Sequence, residues 1–301
     1  FYINVPIGAV ALLLVVPFLH ESFERKSKKI DYLGAAAFTI ALSALMYALL
    51  SGGVDYAWDS AIIIGLFAAA ALFLLLFLWI ESRAAEPMMP LSIFKIRVLN
   101  VVNISGFLAF SITTGMTIYA PMWIQSVLGH SATSSGYTVM PMSLAWPLAS
   151  VVVGRIMDRV GIKASVVFGS VVVLAGCGWL VSLDVSSAYA AWIGVMIVFG
   201  FCMGFVSTPQ TVIVQSVVGW EMRGVANGSN ALMRSLGQTV GVAVFGTIFN
   251  RYVTGDTPPI ADLAAGMHAV FILLAAIAAA NLLAMLFLPS HGKVMEAQKA
   301  H

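Results

Sequence analysis

Charge is what this sequence has least of. Asp, Glu, Lys and Arg make up 9% of its 301 residues, where a soluble domain carries about a quarter. So few charges cannot clothe a water-exposed surface, which excludes a soluble globular fold. A net charge of +2, with no basic run interleaved with aromatics, gives no footprint for a nucleic-acid partner. Cysteine is scarce as well. Cys177 and Cys202 are the only two, each inside an apolar run, where they read as small packing residues. The five histidines, His20, His130, His268, His291 and His301, fall at span edges or in loops without H-E-x-x-H or other paired metal spacing. No G-x-x-x-x-G-K phosphate loop occurs either. The sequence therefore calls for no metal, no cofactor and no enzymatic or ATP-driven chemistry. Its first residues, Phe1-Tyr2-Ile3-Asn4, lack the basic n-region of a signal peptide and read as a helix already under way. The expectation is a portion of a longer protein.

What is abundant is apolar length. Hydrophobic residues form 60% of the chain and the mean hydropathy is +0.98. A helix needs about 20 mainly apolar residues to cross a bilayer. By that measure the sequence predicts an all-α membrane protein with about nine spans: 1–19, 31–50, 61–80, 99–124, 134–154, 164–183, 189–213, 228–250 and 267–288. Runs this long lack the period-2 alternation of a membrane barrel.

The loops between these spans carry opposite signs in turn. Fourteen of the 15 basic residues lie at alternate loops or in the tail, with Arg251 on the other side; the opposite loops hold Asp55, Asp59, Asp184, Asp256 and Asp262. Basic loops face the cytoplasm, so Phe1 is expected outside and His301 inside, in a multi-pass protein of the cell (inner or plasma) membrane. The link from Glu81 to Arg97, with Pro87 and Pro90, divides residues 31–80 from the six spans of 99–289. A tail, 290–301, follows.

One charged stretch stands out: Gly154-Arg155-Ile156-Met157-Asp158-Arg159-Val160-Gly161-Ile162-Lys163. It reads as a tight turn between two apolar runs, with two glycines for close packing and a sharp reversal. Its spacing, G-x-x-x-D-R-x-G-x-K, resembles the loop signature of the major facilitator superfamily of secondary transporters, carried here by Gly154, Asp158, Arg159, Gly161 and Lys163. Further stretches resemble the fourteen-helix drug:proton antiporter branch of that superfamily, the EmrB/QacA type. Asn4-Val5-Pro6-Ile7-Gly8 is similar to the start of its sixth helix, and Asp31-Tyr32-Leu33-Gly34 to the opening of its two-helix insert. Glu86-Pro87-Met88-Met89-Pro90-Leu91 with Phe94 resembles the link after that insert. Pro121-Met122-Trp123-Ile124-Gln125, then Val127-Leu128-Gly129, Gly136 and Pro141, resembles its outer hairpin. Arg234-Ser235-Leu236-Gly237-Gln238 with Gly241-Val242-Ala243 resembles its penultimate helix.

The resemblance implies part of a two-bundle fold: residues 1–19 as the last helix of the amino-terminal bundle, 31–80 as a central insert, and 99–289 as the complete second bundle. It implies proton-coupled efflux of small amphipathic or cationic compounds by alternating access, with the rest of the first bundle supplied by a missing amino-terminal half. The same fold moving one defined metabolite or siderophore is the alternative. No acid of the 13 falls mid-span, so a titrating carboxylate is expected in that other half. For Asp158 two readings stand, a solvated loop charge or a carboxylate seated at a helix N-terminus of the other bundle.

Polar residues inside spans mark the candidate pathway, because lipid cannot satisfy them. Asn227, Asn230, Arg234, Gln238 and Gly241 share one helical face and are candidates for a gate or pathway. Gly237 and Gly241 permit close helix approach. Arg234 is either such a gate contact or a side chain snorkelling to the cytoplasmic interface. Asn103, Phe110, Thr114, Trp146 and Gln210 are the candidate substrate pocket. Phe107, Met116, Tyr119, Met140, Met142 and Met203 either line that pocket or pack against lipid and neighbouring helices.

Overall fold

The computed structural model describes residues 4–18, 31–84, 87, 89, 91–253 and 258–289. Among them the chain forms nine α-helices: α1 (Asn4–Phe18), α2 (Tyr32–Ser51), α3 (Ala61–Arg83), α4 (Arg97–Ser126), α5 (Ala132–Val160), α6 (Ile162–Ser182), α7 (Tyr189–Ser216), α8 (Arg223–Phe249) and α9 (Ile260–Leu286). Eight of them, α2 to α9, are long and apolar enough to cross a membrane. The isolated Gly52–Tyr56 bridge is the one β-type pairing among the described residues. The basic cluster 25–29, Asp256 and the tail 290–301 lie outside the described residues.

Local chemistry sets the helix ends. The Asp31 carboxylate accepts from the Gly34 amide at 2.8 Å, and the Ser60 and Ser131 hydroxyls accept from Ile63 and Ser134, each at 3.3 Å. Each satisfies one of the four amides a helix leaves unpaired at its start. At the other end of α9, the Lys163 ammonium donates to the Leu286 carbonyl at 3.0 Å, a cation at the negative end of the helix dipole.

The charged stretch after residue 153 needs correction. It is not a ten-residue turn: α5 continues through Val160 and α6 starts at Ile162, because Arg155 to Val160 contain nothing that stops a helix. The reversal is confined to Gly161, whose φ of +94° only glycine adopts without strain. Gly154 does not serve close packing, since a Cβ there would meet open space. Arg155, Asp158 and Arg159 are exposed.

Two apolar clusters hold α4 to α9 together. The larger centres on Trp123 and Trp192, stacked with ring centroids 5.2 Å apart, and on Phe271 beside both. Met116, Tyr119, Met142 and Met203 are buried within it, as are Cys177 and Cys202. Those four side chains therefore pack helix against helix, and Tyr119 also borders a cavity of about 130 Å³ between α2, α4 and α8. Met140 is exposed.

The smaller cluster joins Leu99, Val214 and Ala226 to Ala37 and Phe77 through Met89 and Ile93. The link after α3 is thus no free spacer. Its Met89 amide donates to the buried Glu81 carboxylate, and its 3-10 turn, Leu91–Lys95, drives Ile93 into the core.

Glycine sets the closest helix contacts. A Cβ on Gly204 would stand 2.6 Å from Ala149 Cβ, and one on Gly237 would fall onto the Phe107 carbonyl. Gly200 and Gly204 draw α7 against α5, and Gly237 and Gly241 draw α8 against α4, in the small-xxx-small manner of membrane helices.

Candidate functional site

The α4–α8 contact places several polar groups together. Asn230 Nδ2 donates to Asn103 Oδ1 at 3.0 Å, and Asn103 Nδ2 donates to the Ser229 hydroxyl at 3.0 Å. All three residues are buried. Gly106 makes room for them: a Cβ there would come within 3.3 Å of Asn230 Nδ2 and 3.4 Å of Arg234 Cγ.

One turn further along α8, the Arg234 guanidinium lies over the Phe110 ring, 4.9 Å from its centroid. Phe110 meets Trp146 of α5 edge-on at 6.1 Å, and the Trp146 indole N–H donates to the Ser207 hydroxyl of α7 at 3.0 Å. Four helices thus contribute to one row, α8–α4–α5–α7.

Arg234, Phe110 and Trp146 lie near the middle of their helices. At 1.5 Å per residue, Arg234 stands about 16 Å along α8 from Arg223 and about 22 Å from Phe249, and Trp146 is at the midpoint of α5. Helix α8 begins five residues before the expected span 228–250. The Arg234 side chain folds onto Phe110. Its Nε and Nη2 atoms are buried without a hydrogen-bond partner. An arginine at a span centre costs about 2.5–3.5 kcal/mol on insertion scales, and a cation–π contact returns about 0.5–2 kcal/mol. Stability alone does not account for Arg234.

Beside Trp146 opens a groove of about 580 Å³, lined by Ser143, Trp146, Pro147 and Ser150. It is shallow and open, with Ser143 and Pro147 exposed. Pro147 has no N–H for the Ser143 carbonyl to accept from, so the groove's wall combines an indole face, two serine hydroxyls and a freed carbonyl.

A second polar row is sealed inside. Gln210 Nε2 donates to the Ser105 hydroxyl at 2.7 Å, Ser105 donates to Asn281 Oδ1 at 2.6 Å, and Asn281 Nδ2 reaches the Ser170 hydroxyl at 3.4 Å. Every residue in it is fully buried. Gln210 is therefore part of a link among α7, α4, α9 and α6, and the structure does not bring it to the groove. The sequence alone did not single out Ser105, Ser170, Ser229 and Asn281. Asn281, an amide inside Ala278-Ala279-Ala280-Asn281-Leu282-Leu283, was the available signal. Of the other candidates, Thr114 is half-buried, Asn227 is half-buried and Gln238 is exposed. Asn227 and Gln238 thus sit at the ends of a face whose centre, Asn230 and Arg234, is engaged with α4.

Comparison with known proteins decides the family. The Major Facilitator Superfamily matches residues 1–242. The chain belongs to that superfamily. Within it, the chain is 33% identical over 255 residues to "Multidrug resistance protein 3" of Bacillus subtilis, covering 84% of this chain and 50% of that protein. It is 32% identical over 250 residues to "Multidrug transporter protein MdtP" of the same organism, covering 83% of this chain and 46% of that one. "Multidrug resistance protein Stp" of Mycobacterium tuberculosis is 28% identical over 262 residues, 86% of this chain and 48% of its own length. The chain spans about half the length of the curated relatives it matches. A mutant of the nucleoside transporter NupG has the same fold, with a TM-score of 0.56, 14% identity, and coverage of 84% of this chain and 65% of that one. The superfamily member described here is accordingly a multi-pass, all-α membrane protein.

Proposed function

We propose that this chain works as part of a proton-coupled multidrug exporter, by antiport and alternating access. The observation that carries the reading is the row of Arg234, Phe110 and Trp146, near the middle of their helices, beside an open groove. An apolar, aromatic wall with few polar groups suits varied amphipathic molecules, and the relatives named for multidrug transport point the same way. In this reading α4 to α9 form one bundle, α2 and α3 form the insert, and α1 belongs to a second bundle completed by sequence that the relatives have and this chain does not cover. The two bundles rock about a midplane cavity. Basic loops place the Gly161 turn in the cytoplasm and the amino terminus outside, in the cell membrane. There Asp158, exposed at the end of α5, meets a helix N-terminus of the other bundle and stabilises one access state. The proton carrier is a carboxylate of that bundle.

The test is transport by the complete gene product in inverted membrane vesicles. An uncharged amphipathic dye, N-phenyl-1-naphthylamine, should accumulate when the vesicle interior is acidified and leak out when a protonophore is added. Accumulation unaffected by the protonophore would remove proton coupling. No accumulation, with an active control exporter in parallel vesicles, would remove the export reading.

A further inference from the structure

Arginine offers two edges for hydrogen bonding. The edge formed by Nε–H and the neighbouring Nη2–H matches the two oxygens of a carboxylate. In Arg234 those are the two atoms left without a partner, while the ring face of the guanidinium is occupied by Phe110. Among the described residues, no Asp or Glu forms an ion pair with it, and neither of the amides nearest along α8 is available: Asn230 bonds to Asn103, and Gln238 is exposed. Phe110, on the guanidinium face, meets Trp146, which lines the 580 Å³ groove. A cation is repelled at such a place, and an uncharged polar group uses only one donor. An aromatic or aliphatic acid uses all of it.

We infer that Arg234 is a binding residue for the anionic group of the transported molecule, and that the substrate class is amphipathic acids. The carboxylate oxygens accept from Nε–H and Nη2–H, and the apolar body lies along Phe110 and Trp146 into the groove, where the Ser143 and Ser150 hydroxyls take up its remaining polar atoms. This rests on the transporter reading above and replaces the cationic part of the sequence expectation with its opposite. The same oxygen pair on a side chain elsewhere in the transporter is the competing source. The groove favours the substrate, because a protein carboxylate would not need the apolar space beyond Phe110.

The test compares three ligands with one ring system and different charge, 2-naphthoate, 2-naphthalenemethanol and 2-naphthylmethylammonium, binding to the complete gene product in neutral-lipid nanodiscs by calorimetry. Wild type should bind naphthoate at least tenfold tighter than the alcohol, and the ammonium weakest. Arg234→Gln should lose that tenfold preference while binding the alcohol within twofold of wild type. Arg234→Lys, which keeps the charge without the planar fork, should retain only part of it. Trp146→Leu should weaken all three ligands by a similar factor. Naphthoate binding that Arg234→Gln leaves unchanged would overturn the inference. So would naphthoate binding wild type no tighter than the alcohol, the result expected if a protein carboxylate already holds the fork. Failure of all three ligands to bind wild type would count against the drug-transporter reading itself.

Discussion

Gly237 offers the sharpest test of the packing that holds the site. A methyl group at this position would collide with the Phe107 carbonyl and stand 2.8 Å from Phe107 Cα, where ordinary contact starts at 3.4 Å. The obstruction is backbone, so no rotamer change relieves it, and α4 and α8 must part by at least about 0.6 Å. Overpacking of this kind costs about 1–3 kcal/mol. Separation also stretches the bond from the Ser111 hydroxyl to the Gly237 carbonyl, now 2.7 Å, worth about 0.6 kcal/mol between membrane helices. Alanine returns roughly 0.5–1 kcal/mol by restricting the unfolded chain. The net expectation for Gly237→Ala is a loss of about 1–3 kcal/mol. Gly246→Ala is the matched control on the same helix, because a Cβ there meets nothing within 4 Å; it should be neutral or slightly stabilising. Thermal unfolding of both variants in one detergent, followed by circular dichroism, separates the cases. Equal midpoints for Gly237→Ala and Gly246→Ala would refute the close α4–α8 approach, and with it the placement of Arg234 over Phe110.

The sealed row predicts an unequal pair. Asn281→Leu removes bonds to both Ser105 and Ser170 and should cost about 1–2 kcal/mol, while Gln210→Leu removes one bond together with a buried oxygen that has no partner and should cost under about 1 kcal/mol; denaturant titration of the two variants checks the order. Lys163→Met should loosen the end of α9 by about 0.3–1 kcal/mol, seen as faster amide exchange around Leu286 with α6 unchanged. In the α6–α7 loop, the Ser186 hydroxyl, then the Ser187 hydroxyl, donate to the Asp184 carboxylate at 2.7 and 3.0 Å and hold it below its ordinary value. A depressed carboxylate contributes stability above its unfolded value, near about 3.9, and loses it as pH falls through the folded value. Loop protection measured by amide exchange should therefore fall on acidification into that window, and Asp184→Asn should be insensitive to the same change.

Much of the fold was legible because membrane helices must satisfy their own backbone, so apolar length maps directly to helix. The observed α2, α3 and α6 agree with the expected spans within three residues at each end. What hydropathy could not show was helix that continues past the apolar stretch. Helix α9 starts at Ile260, after Pro259, with Asp262 in its first turn, where an acid suits the helix dipole. Helix α5 runs on through Arg155, Asp158 and Arg159 to Val160. The docked link was invisible for a different reason. Its two prolines, Pro87 and Pro90, and its length read as a divider, whereas Met89 and Ile93 carry the apolar groups that seal α2 and α3 to the rest.

The same blindness to polar helix ends governed the reading of the site. Arg223, Gly224 and Asn227 lower the hydropathy at the start of α8 without ending the helix, so a span read from 228 leaves Arg234 six residues, about 9 Å, from an edge. Counted from Arg223 it is eleven residues into the helix, about 16 Å. The partners then separate by what each can satisfy. Asn230 and Gln210, which sequence could only place in a span, find amides and hydroxyls on facing helices. Arg234 finds an aromatic face and keeps its fork unpaired. It is the residue of α8 past Arg223 whose buried side-chain polar atoms the fold leaves without a partner, and Phe110 links it to Trp146 at the groove.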